Sequence, residues 1–224
     1  MKIEYIFHSG FTVETDNYFL VFDYYKGQIN LREDKKTIVF SSHGHQDHFN
    51  PEILEWKKEN PNIQYVLSSD IGIKAEPNIF IMKPYENLKV YDVNVHSFGS
   101  TDRGLSFLVE VEGKNIFFAG DLNWWLWPED TEEEKEVMER AFKEEIERIK
   151  KNKVDIAFFP VDPRLRENYS LGGKYFIEEV KPKYFIPIHF WNKFSTTEDF
   201  ARDVKEPSTK ILEIHRENQT IEIQ

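Results

Sequence analysis

The chain of 224 residues is long enough to bury a full hydrophobic core, and we expect a single domain over residues 1–224. Cysteine is absent, which excludes disulfides, thiolate metal sites and a cysteine nucleophile, so any metal must be held by histidine and carboxylate side chains. The net charge of -11 disfavours binding to the phosphates of nucleic acids.

The first residues carry a charged side chain among apolar ones and lack the core of a signal peptide, and no apolar run reaches membrane-spanning length. We therefore expect a cytoplasmic protein that acts on a small molecule, with no membrane or nucleic-acid partner. Charged residues make up 31% of the chain, which favours a thermophile source. The sequence does not determine the oligomeric state.

Short apolar segments rich in β-branched and aromatic residues, each bounded by turn formers, predict strands. They cover Ile3–Phe7, Phe11–Glu14, Tyr18–Phe22, Thr37–Phe40, Gln64–Leu67, Ile79–Ile81, Leu88–Val95, Ser106–Val111, Asn115–Phe118, Asp155–Val161, Tyr184–Ile188 and Ile211–Ile214. Helices are predicted over Glu52–Glu59, Thr131–Lys151, Lys174–Val180 and Thr197–Val204. Because strands and helices are interspersed, we expect a layered α/β domain with the helices outside the sheets.

The strongest motif is His43-x-His45-x-Asp47-His48, which follows the strand Thr37–Phe40. Three imidazoles and a carboxylate within six residues form the ligand set that Zn, Mn, Fe or Ni prefers. A polar surface turn is the alternative, but histidines clustered between a strand and a helix have little structural purpose. The segment therefore predicts a divalent metal site.

Other apolar runs also end in a residue of the ligand type: His8, Asp121, Asp162 and His189. If these strands are parallel neighbours, their carboxyl ends meet in one crevice, where α/β sheets usually place their sites. Taken singly, each is more simply a turn or capping residue. Their convergence is therefore a prediction about the fold.

These residues resemble the metallo-β-lactamase superfamily. His43-x-His45-x-Asp47-His48 is similar to its signature, Phe118-Ala119-Gly120-Asp121 to its bridging-aspartate motif, and Pro187-Ile188-His189 to its last histidine. The opening His8-Ser9-Gly10-Phe11, with Val21-Phe22-Asp23, is similar to the branch that contains the ascorbate-phosphate lactonases. The resemblance covers roughly residues 3–190 and implies a four-layer αββα sandwich with a metal site at one edge of the sheets.

The resemblance further implies one or two divalent ions, zinc first and nickel, manganese or iron as alternatives. His43 and His45 would bind the first ion, Asp47, His48 and His189 the second, and Asp121 would bridge the two. The implied chemistry is hydrolysis by a metal-activated water. In that chemistry Asp47 orients the water or carries its proton, and the ion held by His48 is catalytic.

The chain departs from the family at the third histidine of the first ion. The corresponding stretch, Phe98–Gly104, contains no histidine. Ser100, Asp102, His96 or His8 are the candidates to replace it, and we favour His8 as an extra site residue because its strand should lie beside that of His43. His96 is more simply a polar residue on a half-exposed strand.

Two further segments are candidates for the substrate pocket. Trp124, Trp125 and Trp127 follow Asp121 and would either wall a pocket for an apolar or planar substrate or cover the core. Arg164 or Arg166 would either anchor a substrate carboxylate or phosphate or pair with a neighbouring carboxylate such as Asp162.

The leading functional hypothesis is a metal-dependent hydrolase of a small-molecule ester, lactone or phosphoester. The alternative is a metal-binding or metal-sensing protein of the same fold with little catalysis, which the missing histidine makes credible. A nuclease is disfavoured by the acidic charge. An open coordination position would separate the first two, since catalytic sites keep one.

Overall fold

The strands form two seven-stranded mixed sheets in the computed structural model, which describes residues 1–223. In chain order they are β1 (Lys2–Phe7), β2 (Gly10–Glu14), β3 (Tyr18–Phe22), β4 (Lys36–Ser41), β5 (Gln64–Ser68), β6 (Ile79–Met82), β7 (Asn87–Val90), β8 (Val93–Phe98), β9 (Ser106–Val111), β10 (Lys114–Phe118), β11 (Ile156–Pro160), β12 (Tyr184–Ile188), β13 (Lys210–Ile211) and β14 (Thr220–Glu222).

Each sheet combines an antiparallel half with a parallel half. The first has the order β14-β1-β2-β3-β4-β5-β6, and its strands from β3 to β6 are parallel. The second has the order β13-β12-β11-β10-β9-β8-β7, and its strands from β10 to β13 are parallel. Parallel strands bring their carboxyl ends to one edge, which positions the loops that follow them.

The main core lies between the two sheets. Alternate residues of each strand point into it, so that Leu20 and Phe22 of β3 belong to this core while Phe19 and Val21 pack on the other face. The rings of Phe22 and Phe118 stack across the sheets with their centroids 4.9 Å apart. Aromatic residues therefore join the two sheets directly beneath the loops at the carboxyl ends.

Helices cover the outer faces. The helices α1 (Glu132–Ile149), α2 (Leu171–Val180) and α3 (Ser195–Asp203) supply residues to the apolar cluster on the outside of the second sheet. Thr131 and Glu134 form a capping box at the start of α1. A 3-10 helix, Pro51–Lys58, buries Ile53 against the outside of the first sheet. The four-layer α/β sandwich is thus confirmed, with shorter 3-10 helices over Ser69–Ile71 and Pro163–Asn168.

Several elements differ from the prediction. The strand predicted over Ile211–Ile214 is the shorter β13, and β14 was not predicted. The single strand over Leu88–Val95 was wrong, because Tyr91, at a φ of 54°, turns the chain between β7 and β8. The helix predicted over Glu52–Glu59 is a 3-10 helix, which Asn50 caps by accepting a hydrogen bond from the amide of Glu52. A segment this short, bounded by Pro51 and Pro61, offers little room for cooperative α-helical hydrogen bonding.

Within residues 1–223 no helix combines the length and the apolar character that crossing a bilayer requires.

Candidate metal centre

The loops that follow six strands converge at one edge of the sandwich. His8 follows β1, Asp23 follows β3, and the segment from His43 to His48 follows β4, while Asp121, Asp162 and His189 follow β10, β11 and β12. The histidine and aspartate side chains among these residues are almost fully buried except those of His45 and Asp47. Both sheets therefore contribute to one cluster. The convergence of the strand ends was predicted, but the expectation that the strand of His8 lies beside that of His43 was wrong, because β2 and β3 separate β1 from β4.

A first group consists of His43, His45 and Asp121, whose ligand atoms lie within 4.8 Å of one another. His43 Nε2 is 3.0 Å from His45 Nδ1 and 3.3 Å from Asp121 Oδ2. Two imidazole nitrogens and a carboxylate oxygen thus face a common point.

A second group consists of His8, Asp47, His48 and His189, again with ligand atoms within 4.8 Å. Asp47 Oδ2 lies 3.3 Å from His8 Nε2 and 4.0 Å from His48 Nε2. Asp121 joins this group to the first, since its Oδ1 is 3.2 Å from His48 Nε2 and 3.3 Å from His189 Nε2. The carboxylate of Asp121 therefore lies between the groups, where a bridging ligand would have to be.

Two buried aspartates behind the cluster orient its histidines. Asp23 Oδ2 is 2.7 Å from His48 Nδ1, and Asp162 Oδ2 is 2.8 Å from His189 Nδ1. A carboxylate accepts, so each Nδ1 carries a proton, and His48, which burial keeps neutral, retains the lone pair of its Nε2. Burial lowers the pKa of His189, but Asp121 and Asp162 outweigh burial and raise it above its usual value. Burial raises the pKa of Asp23 to about 7, whereas hydrogen bonds from His189 and Arg164 outweigh burial at Asp162 and lower its pKa to about 2.

Asp23 also reaches His43 through Ser42. Ser42 donates its amide and its hydroxyl to the Asp23 carboxylate, at 2.7 and 2.6 Å, and its Oγ lies 3.0 Å from His43 Nδ1. With the hydroxyl proton given to Asp23, the serine oxygen accepts from His43 Nδ1, which leaves the Nε2 of His43 unprotonated. The sequence motif Val21-Phe22-Asp23 contains Asp23, but no role was predicted for it. Its position after β3, like that of Asp121 after β10, was the signal that could have identified it.

The donor set fits a divalent cation. Burial lowers the pKa of His8 and His43 to about 3 and that of His48 to about 4, so these imidazoles are neutral at pH 7, as metal ligands must be. His48 Nε2 and Asp121 Oδ1 are buried, make no hydrogen bond and face each other as lone pairs. Buried acceptors in contact repel unless a positive charge lies between them.

Backbone strain accompanies the cluster. His8, Asp23, His189 and Trp191 have φ values of 58°, 42°, 66° and 55°, in the left-handed region that costs non-glycine residues free energy. The buried hydroxyl of Tyr5 holds two of these turns, accepting from the amide of His8 and donating to the carbonyl of Trp191. The fold therefore maintains a strained arrangement where the predicted ligands meet.

The structure separates the candidates for the missing third histidine. His8 lies in the second group, while His96 points to Asn87 and Glu110 on the neighbouring strands. Asp102 approaches the first group, with its Oδ2 3.9 Å from His45 Nδ1. Ser100 accepts a hydrogen bond from the amide of Asp102 and so supports that loop. Asp102 is thus the candidate whose side chain lies beside the first group.

Replacement of Asp102 by histidine tests this position. An imidazole there would give the first group the nitrogen-rich ligand set that suits zinc. We therefore expect the ratio of Zn²⁺ affinity to Mn²⁺ affinity to be about tenfold higher in Asp102→His than in the parent protein. Competition with a chromophoric chelator measures the ratio. Asp92→His, on an exposed turn, is the control. An equal affinity ratio in both variants would show that Asp102 is not part of the metal site.

An open cleft of about 390 Å³ lies over the cluster and is lined by His45, Asp47, Asp102, Asp121, Arg164 and His189, together with Trp125 and Trp127. The tryptophans divide between the two predicted roles, since Trp124 packs in the core beside Phe142 and the other two line the cleft. Arg164 forms the predicted ion pair with Asp162 and also lines the cleft, with about half of its side chain exposed.

The fold and the cluster define an α/β sandwich protein with a candidate metal centre at the edge of its sheets. The family model described as a β-lactamase superfamily domain matches residues 2–138, more than half of the chain. The protein belongs to the β-lactamase superfamily.

The relatives carry related names. A UPF0173 metal-dependent hydrolase of Bacillus velezensis is 24% identical over 225 residues, with 88% of each chain covered. UPF0173 metal-dependent hydrolase YtkL of Bacillus subtilis is 24% identical over 224 residues, also with 88% of each covered. These names agree with the enzyme class predicted from the sequence.

Among solved structures, Igni18, a metallo hydrolase from the hyperthermophilic archaeon Ignicoccus hospitalis, superimposes with a TM-score of 0.70 and 19% identity. The match covers 100% of this chain and 99% of that one. At this identity the likeness shows a shared fold.

Proposed function

We propose that the protein is a hydrolase that uses one or two divalent metal ions on a small-molecule ester, lactone or phosphoester. The observation that carries the proposal is the position of Asp121, whose two carboxylate oxygens face separate groups of imidazoles beneath an open cleft. A purely structural metal site is closed by protein ligands, whereas this one borders space for a substrate.

Divalent ions held by these groups would supply a Lewis acid for the carbonyl or phosphoryl oxygen and a water activated for attack. Asp47 is suited to orient the attacking water, because its carboxylate lines the cleft and is 26% exposed. Asp23 and Asp162 fix the ring orientation of His48 and His189. Trp125 shields the cluster from water by packing edge-on against His189, with ring centroids 5.4 Å apart.

The bond type is proposed from the branch resemblance and from Arg164. Its guanidinium donates Nε and Nη2 to Asp162, which leaves Nη1 without a partner in the described structure. A guanidinium at the cleft suits a substrate whose scissile group bears oxygen atoms with negative charge, as a phosphoester or an opening lactone does. This supports a lactone or phosphoester of the kind handled by the ascorbate-phosphate lactonase branch.

Metal loading combined with a substrate screen tests the proposal. With Zn²⁺, Mn²⁺ or Ni²⁺ at a hundred times its dissociation constant, we expect the free energy of unfolding to rise by about 2.7 kcal/mol. The loaded protein should cleave a member of a phosphodiester, lactone and ester panel.

His48→Ala should lose both the stabilisation by metal and the hydrolysis. His215→Ala, at an exposed histidine paired with Glu198, should keep both. Protein that binds none of these ions, or a fully active His48→Ala variant, would contradict the proposal.

A further inference from the structure

An apolar surface continues from the metal cleft onto helix α1. It is formed by Trp125, Trp127, Val137, Met138 and Ala141, and we call these five residues the apolar shelf. Trp125, Trp127 and Met138 line both the cleft over Asp121 and the shelf, so the two spaces are continuous. The shelf adds a cavity of about 490 Å³, within the size range of small-molecule sites.

Hydrogen bonds hold the ring of Trp125 and the backbone of Trp127. Trp125 donates its Nε1 to the carbonyl of Asp121 at 2.9 Å, and the amide of Trp127 donates to Asp130 at 2.9 Å. Their rings are parallel within 5°, with centroids 5.9 Å apart. A pair of parallel rings gives a flat apolar wall at low entropic cost, which suits a planar ligand group.

Helix α1 forms the opposite wall. Its buried residues are Phe142, Glu145, Ile146 and Ile149, whereas Val137 is 52% exposed. A single exposed valine is ordinary on a protein surface. Here it lies with Met138 and Ala141 opposite two tryptophans and next to a polar cluster, and such an apolar wall beside convergent polar groups is the usual form of a ligand site.

The charges around the shelf restrict its occupant. Asp130, Glu133 and Glu134 also line it, and no lysine or arginine does among the described residues. Among the described residues, the only lysine or arginine that lies over either ring is Arg164, which lies over Trp127 and lines the metal cleft. A carboxylate or phosphate on the shelf would meet repulsion, whereas an uncharged group would not.

We propose that the apolar shelf binds an uncharged, aromatic-sized part of the substrate, placed between the paired tryptophans and Val137, while the scissile group lies over Asp121. The inference rests on the proposed hydrolase function and names the substrate class for it: compounds with a hydrolysable group a few bonds from a neutral aryl or similarly bulky apolar group. Trp127 and Val137 are then specificity-determining residues.

An ester series with one leaving group tests the preference. In the metal-loaded protein we expect kcat/KM for ethyl 4-phenylbutanoate to exceed that for ethyl acetate by about tenfold or more, the contribution of one buried aromatic ring. Trp127→Ala and Val137→Asp should each reduce the ratio towards one. Tyr91→Asp makes the same kind of change at an exposed residue in the β7–β8 turn and should leave the ratio unaltered.

A ligand without a hydrolysable bond separates the two proposals. We expect 2-naphthylmethanol to bind the parent protein and the Tyr91→Asp variant with equal dissociation constants in ligand-observed NMR, and to bind Val137→Asp at least about tenfold more weakly. Val137 is exposed on a helix, so the aspartate variant tests the shelf without disturbing the core.

Binding that depends on Val137 without any ester hydrolysis would support the shelf and overturn the hydrolase proposal for esters. Hydrolysis with the same acyl preference in all variants, or binding that does not respond to Val137→Asp, would overturn the inference.

Discussion

Asp121→Asn is expected to abolish metal binding and hydrolysis while leaving the fold intact. The substitution keeps the shape of the side chain but removes the charge between His43 on one side and His48 and His189 on the other. Loss of a residue that only orients a ligand costs 10–100-fold in metal affinity, so losing this central carboxylate should cost about 100-fold or more. Elemental analysis after dialysis, with steady-state kinetics, measures both losses.

The stability of the metal-free Asp121→Asn variant should not fall, in contrast to its metal binding and activity. The asparagine amide can donate to the lone pair of His48 Nε2, which in the parent faces a carboxylate. The metal-free variant should therefore be at least as stable to urea as the metal-free parent. Asp92→Asn, at a side chain that is 79% exposed, is the control and should change neither property. A variant that retains metal, or that unfolds more easily than the parent, would contradict this description of Asp121.

Gly104→Ala is expected to cause the largest loss of stability among single additions of a methyl group. Gly104 has a φ of 72°, and a Cβ there would lie 2.0 Å from the carbonyl oxygen of Ser42 and 2.5 Å from the Cβ of His43. The hydrogen bond from Leu105 to the same carbonyl prevents the loop from moving away. We expect a loss of about 3 kcal/mol or more, from backbone strain together with steric overlap, and weaker metal binding because His43 is displaced.

Gly113→Ala is the matched control. Gly113 has a similar φ of 75°, but its Cβ would have no neighbour within 4 Å. The free energy of unfolding of the control should therefore fall by about 1 kcal/mol, from backbone strain alone, and its metal affinity should not change. Urea denaturation and metal titration of the two variants give the comparison. Equal losses in both would mean that the contact with Ser42 and His43 does not matter.

The sandwich was predictable because its strands are marked by residue type and by clear interruptions. Tyr18–Phe22, for example, is a purely apolar run that forms β3 over the same residues. The β7–β8 hairpin was missed because its turn, Tyr91-Asp92, carries none of the glycine or asparagine pairs that usually signal one. Tertiary pairing of β8 with β9 imposes that turn, and pairing partners are not visible in a local window.

The positions of the site residues were predictable to the extent that strand ends determine them. His8, Asp121 and His189 come together because their strands end at the same edge. Two features depend on side-chain orientation and were not predictable: the hydrogen bonds of Asp23 to Ser42 and His48, and the contact of the His8 and Trp191 rings at 4.1 Å. The approach of Asp102 to His45 likewise depends on the path of a loop whose ends alone are fixed by strands.

The distribution of the cluster along the chain has a consequence for how the protein matures. His8 follows the first strand, whereas His189 follows β12, near the end of the polypeptide. In a zinc finger the metal drives folding because its ligands are close in sequence. Here a cation meets all of these side chains only after β12 has docked in the second sheet, so loop closure over most of the chain precedes uptake. Occupancy is then decided by which ion the folded protein meets, and the same chain made in media of different metal content should differ in its bound ion without differing in its folding rate.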